Sequence, residues 1–124
     1  MAILNLTPHQ INLYSINDCE EVSKGNYKTL VLKEGATPQM VLPSVGVARA
    51  TCTKERIGSI DYIPVYETVY GEVEGLFEPA EGTYYVVSAL TAQAAKDRKD
   101  LLIVDSTVRD SEGRIVGCTA FGRI

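Results

Sequence analysis

The spacing of apolar and polar residues along the chain predicts a fold made mostly of β-strands. Continuous apolar runs are no longer than four to six residues, and in many other segments single apolar and polar residues alternate, as in a strand with one buried face. Proline, glycine and asparagine separate these runs, as turn residues do. Residues 15–27 are polar and predict turns, and residues 47–53 alternate like a half-buried strand. The predicted strands are residues 2–6, 11–14, 29–32, 40–42, 47–53, 59–73 in two segments, 83–87, 101–104, 107–109 and 114–121.

One stretch breaks this pattern and predicts a helix. Thr83–Val87 is rich in aromatic and β-branched residues and predicts a central strand. Ser88 then stands where an N-cap would stand, and residues 89–97 are mostly good helix formers. The first N–H groups of such a helix lack partners, so a strand running into a helix can form an anion site at Ser88. The expected class is α+β and β-rich, with a mainly antiparallel twisted sheet and one main helix.

Prolines and cysteines refine this picture. Pro64 cannot donate to a ladder and is expected at a sheet edge or a bulge. Cys52 and Cys118 fall in apolar phases of strands, where small buried thiols are common. The three cysteines are odd in number and form no CxxC motif, which favours free thiols in a reducing cytoplasm.

Length and composition limit the class of protein. A chain of 124 residues predicts one domain with its own core. No apolar run is long enough to cross a membrane, and the N-terminus lacks the features of a signal peptide. The net charge is −4, and residues 55–81 carry one arginine against seven acids. Because a duplex-binding protein needs a broad basic face, duplex nucleic acid is not expected as a partner, whereas a small anion needs only a few arginines.

The inventory of reactive side chains argues against several kinds of active site. His9 is the single histidine, so a Ser-His-Asp triad or a multi-histidine metal site is not available, and we expect His9 to belong to the turn at Pro8. No activating base can be assigned to the cysteines. The acids between residues 67 and 81 are more often a solvated face than a general acid/base pair. No GxGxxG or Walker motif occurs, and neither a metal nor a cofactor is expected.

A nucleotide can be bound without those motifs if three kinds of group are present. It needs an aromatic or guanidinium plane for a base, an amide for the edge of the base, and cations for phosphate. Each candidate is individually more often structural. The candidates are Phe77 or Tyr84 for stacking, Gln93 for the base edge, Arg56, Arg98 and Arg109 for phosphate, and Asp105 for ribose hydroxyls.

Four stretches of the chain resemble a known family. They are ILNLTPHQINL, LPSVGVARA, EVEGLFEPAEGTYYVVSALTAQA and DLLIVDSTVRDSEGRIVGCTAFGR. Together they resemble the first described type of Thoeris anti-defence sponge, a family of small phage-encoded proteins. The resemblance covers most of the chain and is weaker between Tyr14 and Ala36.

The resemblance implies a β-rich, non-enzymatic protein in the cytoplasm of the infected bacterium. Such a protein sequesters glycocyclic ADP-ribose, an immune signal made by TIR-domain proteins, and forms dimers or trimers of dimers. Some members also bind cyclic di- or trinucleotides of CBASS defence at separate sites near arginines. Carried over to this chain, the resemblance points to Arg56, Arg109, Thr91 and Gln93.

Two other functions are compatible with the residues. One is a hydrolase of the same signal, which the single histidine disfavours. The other is a phage structural or assembly module, which short strands and acidic edges would suit equally. The exposed aromatic surface expected from Tyr66, Tyr70, Tyr84 and Tyr85 predicts a closed homo-oligomer with pockets at the subunit boundary.

Overall fold

A computed structural model describes residues 2–124, and strands make up 55% of the chain against 7% helix. The predicted β-rich α+β class is therefore confirmed. The strands are β1 (Ala2–Asn5), β2 (Ile11–Leu13), β3 (Cys19–Lys24), β4 (Tyr27–Leu32), β5 (Met40–Leu42), β6 (Arg49–Ile60), β7 (Ile63–Glu74), β8 (Thr83–Val86), β9 (Leu101–Arg109) and β10 (Ile115–Gly122). The helices are a 3-10 turn at Ile16–Asp18 and α1 (Ala89–Ala94).

Eight strands form a mixed sheet in which β9 is central. The strand order is β1-β8-β9-β10-β2-β5, and β4, which carries β3, pairs with the far end of β9. Most residue pairs are antiparallel, as expected, but β1, β8 and the start of β9 run parallel to one another. The β8–β9 pair is parallel because α1 lies between these strands, and a crossover through a helix returns the chain in the same direction. β2 with β10 and β4 with β9 are parallel pairs as well.

Apolar side chains pack on both faces of β8. Tyr85 and Val87 join the core beneath α1, whereas Val86 packs against the opposite face of the sheet. Because both faces of the strand are buried, its sequence is a continuous apolar run and not an alternation of apolar and polar residues. The core under α1 consists of Leu6, Ala48, Tyr85, Val87, Ala92, Ala95 and Leu101.

The helix begins where predicted and ends earlier. The hydroxyl of Ser88 accepts a hydrogen bond from the Thr91 N–H, which confirms Ser88 as the N-cap. α1 ends at Ala94, three residues before the predicted end at Asp97, because Ala95 leaves the helical region. The chain must turn there so that the Asp100 carbonyl can accept from the Tyr85 N–H at the start of the β8–β9 pairing. Among residues 2–124 no helix has the length to cross a bilayer.

Two further predictions need correction. Residues 15–27 were expected to be turns, yet Cys19–Lys24 forms strand β3, which pairs antiparallel with β4. β3 is mostly polar because it lies at the sheet edge with Glu20, Glu21 and Lys24 exposed, so it lacks an apolar face. The segments 101–104 and 107–109 are one strand, in which Ser106 has a positive φ of 53°.

A buried asparagine joins the end of β1 to the neighbouring loops. Asn5 is 1% exposed, and its amide donates to the carbonyls of His9 and Leu42 at 2.7 and 2.9 Å. Its side-chain oxygen accepts from the N–H and the hydroxyl of Thr7 at 2.9 and 2.6 Å. These contacts fix the loop between β1 and β2.

Asn5→Ala is therefore expected to lower the free energy of unfolding by about 2–4 kcal/mol, because it leaves several buried polar groups without partners. Chemical denaturation measures the change. Asn12→Ala is the matched control, since the half-buried Asn12 side chain makes only two bonds: it donates to the Val116 carbonyl at 3.2 Å and accepts from the Gln10 amide at 3.1 Å. Equal losses in the two variants would contradict the central role of Asn5.

The second sheet is a long two-stranded ribbon formed by β6 and β7, which we call the ribbon (residues 49–74). Nearly all of its residues are exposed. The expected half-burial of residues 47–53 is confirmed at Ala48, which is buried, and at Ala50, which is half-buried, but it is wrong for Cys52, which is exposed. Cys118 is fully buried, as predicted. Pro64 lies opposite Ser59 in a sheet that consists only of edge strands, which confirms the predicted position. An isolated two-stranded hairpin is only marginally stable in water, so we expect the ribbon to be stabilised by packing against another surface.

We predict that the protein is a homodimer or a higher closed oligomer at micromolar concentration. The physical reason is that the two faces of the ribbon expose apolar side chains that its own chain leaves bare, among them Ile57, Ile60, Tyr66, Val69 and Tyr70. Light scattering measures the mass in solution. A mass equal to that of one chain would contradict this prediction.

Candidate functional site

Four basic side chains and a tyrosine line a hollow at the amino end of β8. One cavity of about 510 Å³ lies between the loop before β8 and the loop after α1. A second cavity of about 310 Å³ shares Arg98, Lys99 and Arg123 with the first. We call this site the cationic hollow, and its residues are Tyr84, Lys96, Arg98, Lys99 and Arg123.

The sheet pairing explains how residues far apart in sequence meet here. The chain turns after Ala95 and enters β9 beside Tyr85, which places residues 96–99 next to the start of β8. β10 runs antiparallel to β9, and its last residue, Gly122, lies opposite Ile103 near the start of β9. Arg123 follows directly and therefore lies beside the same loop.

Arg98 is held in a fixed position by an ion pair. Its Nε and Nη2 atoms donate to the two carboxylate oxygens of Asp100 at 2.8 and 2.7 Å. The two side chains are only 21% and 17% exposed. Hydrogen bonds from Arg98 hold the pKa of Asp100 below its usual value, and the same bonds raise the pKa of Arg98. Nη2 also donates to the Phe77 carbonyl at 3.0 Å, which ties down the loop before β8.

The remaining cations of the hollow are exposed. Lys96, Lys99 and Arg123 form no ion pair within residues 2–124. Asp97 also lines the hollow, so four basic side chains face two carboxylates and the site carries a net positive charge. Such a site suits an anionic group, because hydrogen bonds between ions are about twice as strong as neutral ones.

Three of the predicted residues lie in or beside this site. Tyr84 and Arg98 line the hollow, and Tyr84 is half-buried, so its ring can form a wall for a flat group. Phe77 lies next to them and contacts the ring of Tyr85 edge-on at 5.9 Å between centroids.

Ser88 and Thr91 lie at the other end of α1 and serve the fold. The Ser88 hydroxyl donates to Thr91 Oγ1 at 3.0 Å, and Thr91 Oγ1 donates to the Ala48 carbonyl at 3.2 Å. Thr91 is 1% exposed. The expected anion site at Ser88 does not form, because α1 is only six residues long and the Thr91 N–H is already bound by Ser88.

The other predicted residues are dispersed. Arg109 Nη1 donates to the Gly113 carbonyl at 2.7 Å and so closes the turn between β9 and β10. Asp105 accepts from the N–H of the next residue at 2.6 Å. Gln93 is exposed on α1, and Arg56 lies on the ribbon, where it donates to Ser59 at 2.8 Å. The structure therefore does not bring these four residues to the hollow.

Lys96, Lys99 and Arg123 were not among the predicted site residues. A local signal for the first two exists in the charged run Lys96–Asp100, which follows the helix directly. The contribution of Arg123 depends on the pairing of β10 with β9, which no local pattern reveals.

A third cavity, of about 430 Å³, lies at the opposite end of β8 from the hollow, beside the ends of β1 and β8. No aspartate, glutamate, lysine or arginine lines it, and His9 is its single basic residue. We call it the apolar groove, and its residues are Thr7, His9, Gln10, Ile11, Asn12, Val87, Ser88, Ala89, Ile103, Val104, Ile115, Val116, Gly117 and Cys118. Burial raises the pKa of the Cys118 thiol, which keeps it protonated and unreactive.

Comparison with known proteins gives no match to a family model, to a curated protein or to a solved structure. The chemistry of the cationic hollow and of the apolar groove, and the resemblance of the sequence, are therefore the grounds on which a function can be inferred.

Asp100→Asn is expected to destabilise the protein by about 1–2 kcal/mol at neutral pH, since a hydrogen bond to a charged group is lost. The pKa of Asp100 is lowered in the fold, so its stabilising effect is present above the unfolded pKa of about 3.9 and is lost as the pH falls through the folded value. The difference in the free energy of unfolding between wild type and variant should therefore shrink below about pH 4. Denaturation at several pH values measures it.

Asp97→Asn is the control, because Asp97 forms no ion pair within the described part of the chain. It should leave stability nearly unchanged. A difference between wild type and Asp100→Asn that stays constant with pH would contradict the role given to the ion pair.

Proposed function

We propose that the protein binds a cyclic ADP-ribose-type nucleotide, such as glycocyclic ADP-ribose, and releases it unchanged. In this proposal it acts as a sponge in the cytoplasm of the infected bacterium and lowers the concentration of an immune signal. The observation that carries the proposal is the convergence of Arg98, Lys99 and Arg123 beside the ring of Tyr84. The resemblance to anti-defence sponges supports it independently.

The hollow offers the groups that a twice-phosphorylated nucleotide requires. The exposed cations supply charge-assisted hydrogen bonds to phosphate oxygens. The ion pair with Asp100 fixes the position of the Arg98 guanidinium before a ligand binds. Tyr84 supplies a flat surface for a base or a ribose. Cavities of a few hundred cubic ångströms are the usual size for small-molecule sites.

Sequestration requires tight binding and no chemical step. Cations that contact phosphate in the bound ground state give affinity, whereas catalysis requires interactions that strengthen only in the transition state. The side chains of the hollow supply the first kind of contact. We therefore infer a binding protein and not a hydrolase.

Arg123→Met and Lys99→Met are each expected to weaken nucleotide binding roughly tenfold to a hundredfold. Each removes one charge-assisted contact, worth about 1.5–3 kcal/mol. Calorimetric titration with TIR-derived glycocyclic ADP-ribose measures the loss. Lys28→Met is the control, because Lys28 is an exposed cation that pairs with Glu21 on β3, outside the hollow.

Arg109→Met distinguishes the hollow from the site that the resemblance implies. Because Arg109 closes the β9–β10 turn, this variant should lose stability and keep its affinity. If Arg109→Met abolishes binding while Arg123→Met does not, the nucleotide site lies elsewhere.

The chemical fate of the ligand is tested by saturating the protein, washing it, denaturing it by heat and analysing the released molecule. Intact ligand supports the sponge, and linear ADP-ribose would identify a hydrolase.

One observation favours a second candidate, a phage assembly module. The ribbon exposes apolar side chains along its length, as an element that joins other subunits would. Retention of no nucleotide in the release experiment would leave this function as the better proposal.

A further inference from the structure

The end of the ribbon is the most exposed apolar segment among the described residues. We define the tip as residues 60–63, in which Ile60 and Ile63 are 67% and 65% exposed and Tyr62 is 100% exposed. Tyr62 therefore has no packing contact within its own chain. A cluster of bare apolar side chains of this kind marks an interaction site.

The turn at the tip is a conformation that its residues do not favour. Asp61 and Tyr62 have φ values of 48° and 67°, both in the left-handed region. A two-residue hairpin turn of this kind is usually formed by Asn-Gly or Asp-Gly, because glycine adopts positive φ freely. A tyrosine held there is strained, and such strain is found mainly at functional sites.

The apolar groove has the complementary chemistry. Val87 and Cys118 are almost fully buried at its base, and Val104 and Ile115 are exposed at its edge. Because no carboxylate, lysine or arginine lines the groove, where His9 is the single basic residue, an apolar side chain can enter without removing water from one of those ions. The neutral side chains of Gln10 and Asn12 line it as well and can bond to a phenolic hydroxyl.

The tip does not reach the groove of its own chain. Each strand of the ribbon has 12 residues, and at about 3.3 Å per residue the ribbon projects roughly 40 Å. Its base packs beside α1, where Arg49 and Ala50 share a cavity with Leu90. The exposure of the tip shows that it contacts none of the body. A groove that receives the tip must therefore belong to another molecule.

We propose that Tyr62 of one copy of this chain, flanked by Ile60 and Ile63, inserts into the apolar groove of a second copy, and that the exchange is reciprocal. Each groove is then completed by a residue of the partner copy. The inference does not depend on the nucleotide proposal, because the groove and the cationic hollow share no residue.

A second copy is the occupant that the dimensions favour. One face of a two-stranded ribbon, roughly 40 Å by 10 Å, offers about 400 Å², so two ribbons covered on one face contribute about 800 Å². Two tips inserted into two grooves add to this and bring the total toward the roughly 1,200 Å² at which stable interfaces begin. A reciprocal contact of this kind has the two-fold symmetry of most homodimers.

A mixing experiment with two variants tests the contact itself. Tyr62→Asn removes the ring and keeps the turn, because asparagine adopts positive φ readily. Val104→Arg places a charge at the exposed edge of the groove, where a long side chain need not disturb the core. Neither homodimer then has an intact contact between tip and groove, whereas a mixed dimer has one.

Native mass spectrometry over a range of concentrations measures the outcome. Each variant alone should be monomeric at concentrations where the wild type is dimeric, and the equimolar mixture should restore dimers of mixed mass. A monomeric wild type, variants that dimerise as the wild type does, or a mixture that stays monomeric would each overturn the proposal.

Cysteine crosslinking provides a second test that does not rely on loss of assembly. In a Cys52→Ser background, Tyr62→Cys and Ile115→Cys should form an intermolecular disulfide when the two variants are mixed and oxidised. Tyr27→Cys replaces Tyr62→Cys in the control, since Tyr27 is exposed on β4. Crosslinking that is no faster than in the control would also overturn the proposal.

Discussion

The length of β9 is the constraint on which the rest of the structure depends. Its first residues pair in parallel with β8, its middle and end pair with β10, and its last residues also pair with β4. Because three strands share one partner, the positions of α1, of the β9–β10 turn and of the C-terminus are all set by it. The cationic hollow lies at the start of β9, where the pairing with β8 and the end of the pairing with β10 bring their residues together.

Local chemistry made one part of the fold predictable. The apolar run Thr83–Val87 and the cap at Ser88 depend on neighbours within a few residues, and both were found where expected. Strand β3 was not predicted because it is an edge strand whose two faces are both largely exposed to solvent. Its sequence therefore lacks the alternation of apolar and polar residues that indicates a strand. The alternation in residues 47–53 indicated a strand correctly, but a period of two cannot show whether anything covers the apolar face.

The candidate site was predictable only in part, for a related reason. Tyr84 and Arg98 were identified by residue type, which indicates what a side chain can bind. Their association with Arg123 depends on the register of β10 against β9, a pairing between distant segments. Arg109 and Thr91 were predicted as site residues but do not belong to the cationic hollow. The Arg109 guanidinium and the Thr91 hydroxyl could both bind a ligand, yet they donate instead to the carbonyls of Gly113 and Ala48.

The pairing of β1 also governs when the chain can fold. Ala2–Asn5 pairs with Thr83–Val86, and Leu13 of β2 lies opposite Cys118. During synthesis the first two strands must therefore wait, without these sheet partners, until most of the chain has left the ribosome. The ribbon, by contrast, joins neighbouring strands through a short turn and can close as soon as it emerges. The apolar groove, however, contains residues of β9 and β10 and forms only when the sheet is nearly complete, so in the proposed dimer the tip of one copy can be received only by a copy whose sheet has already formed.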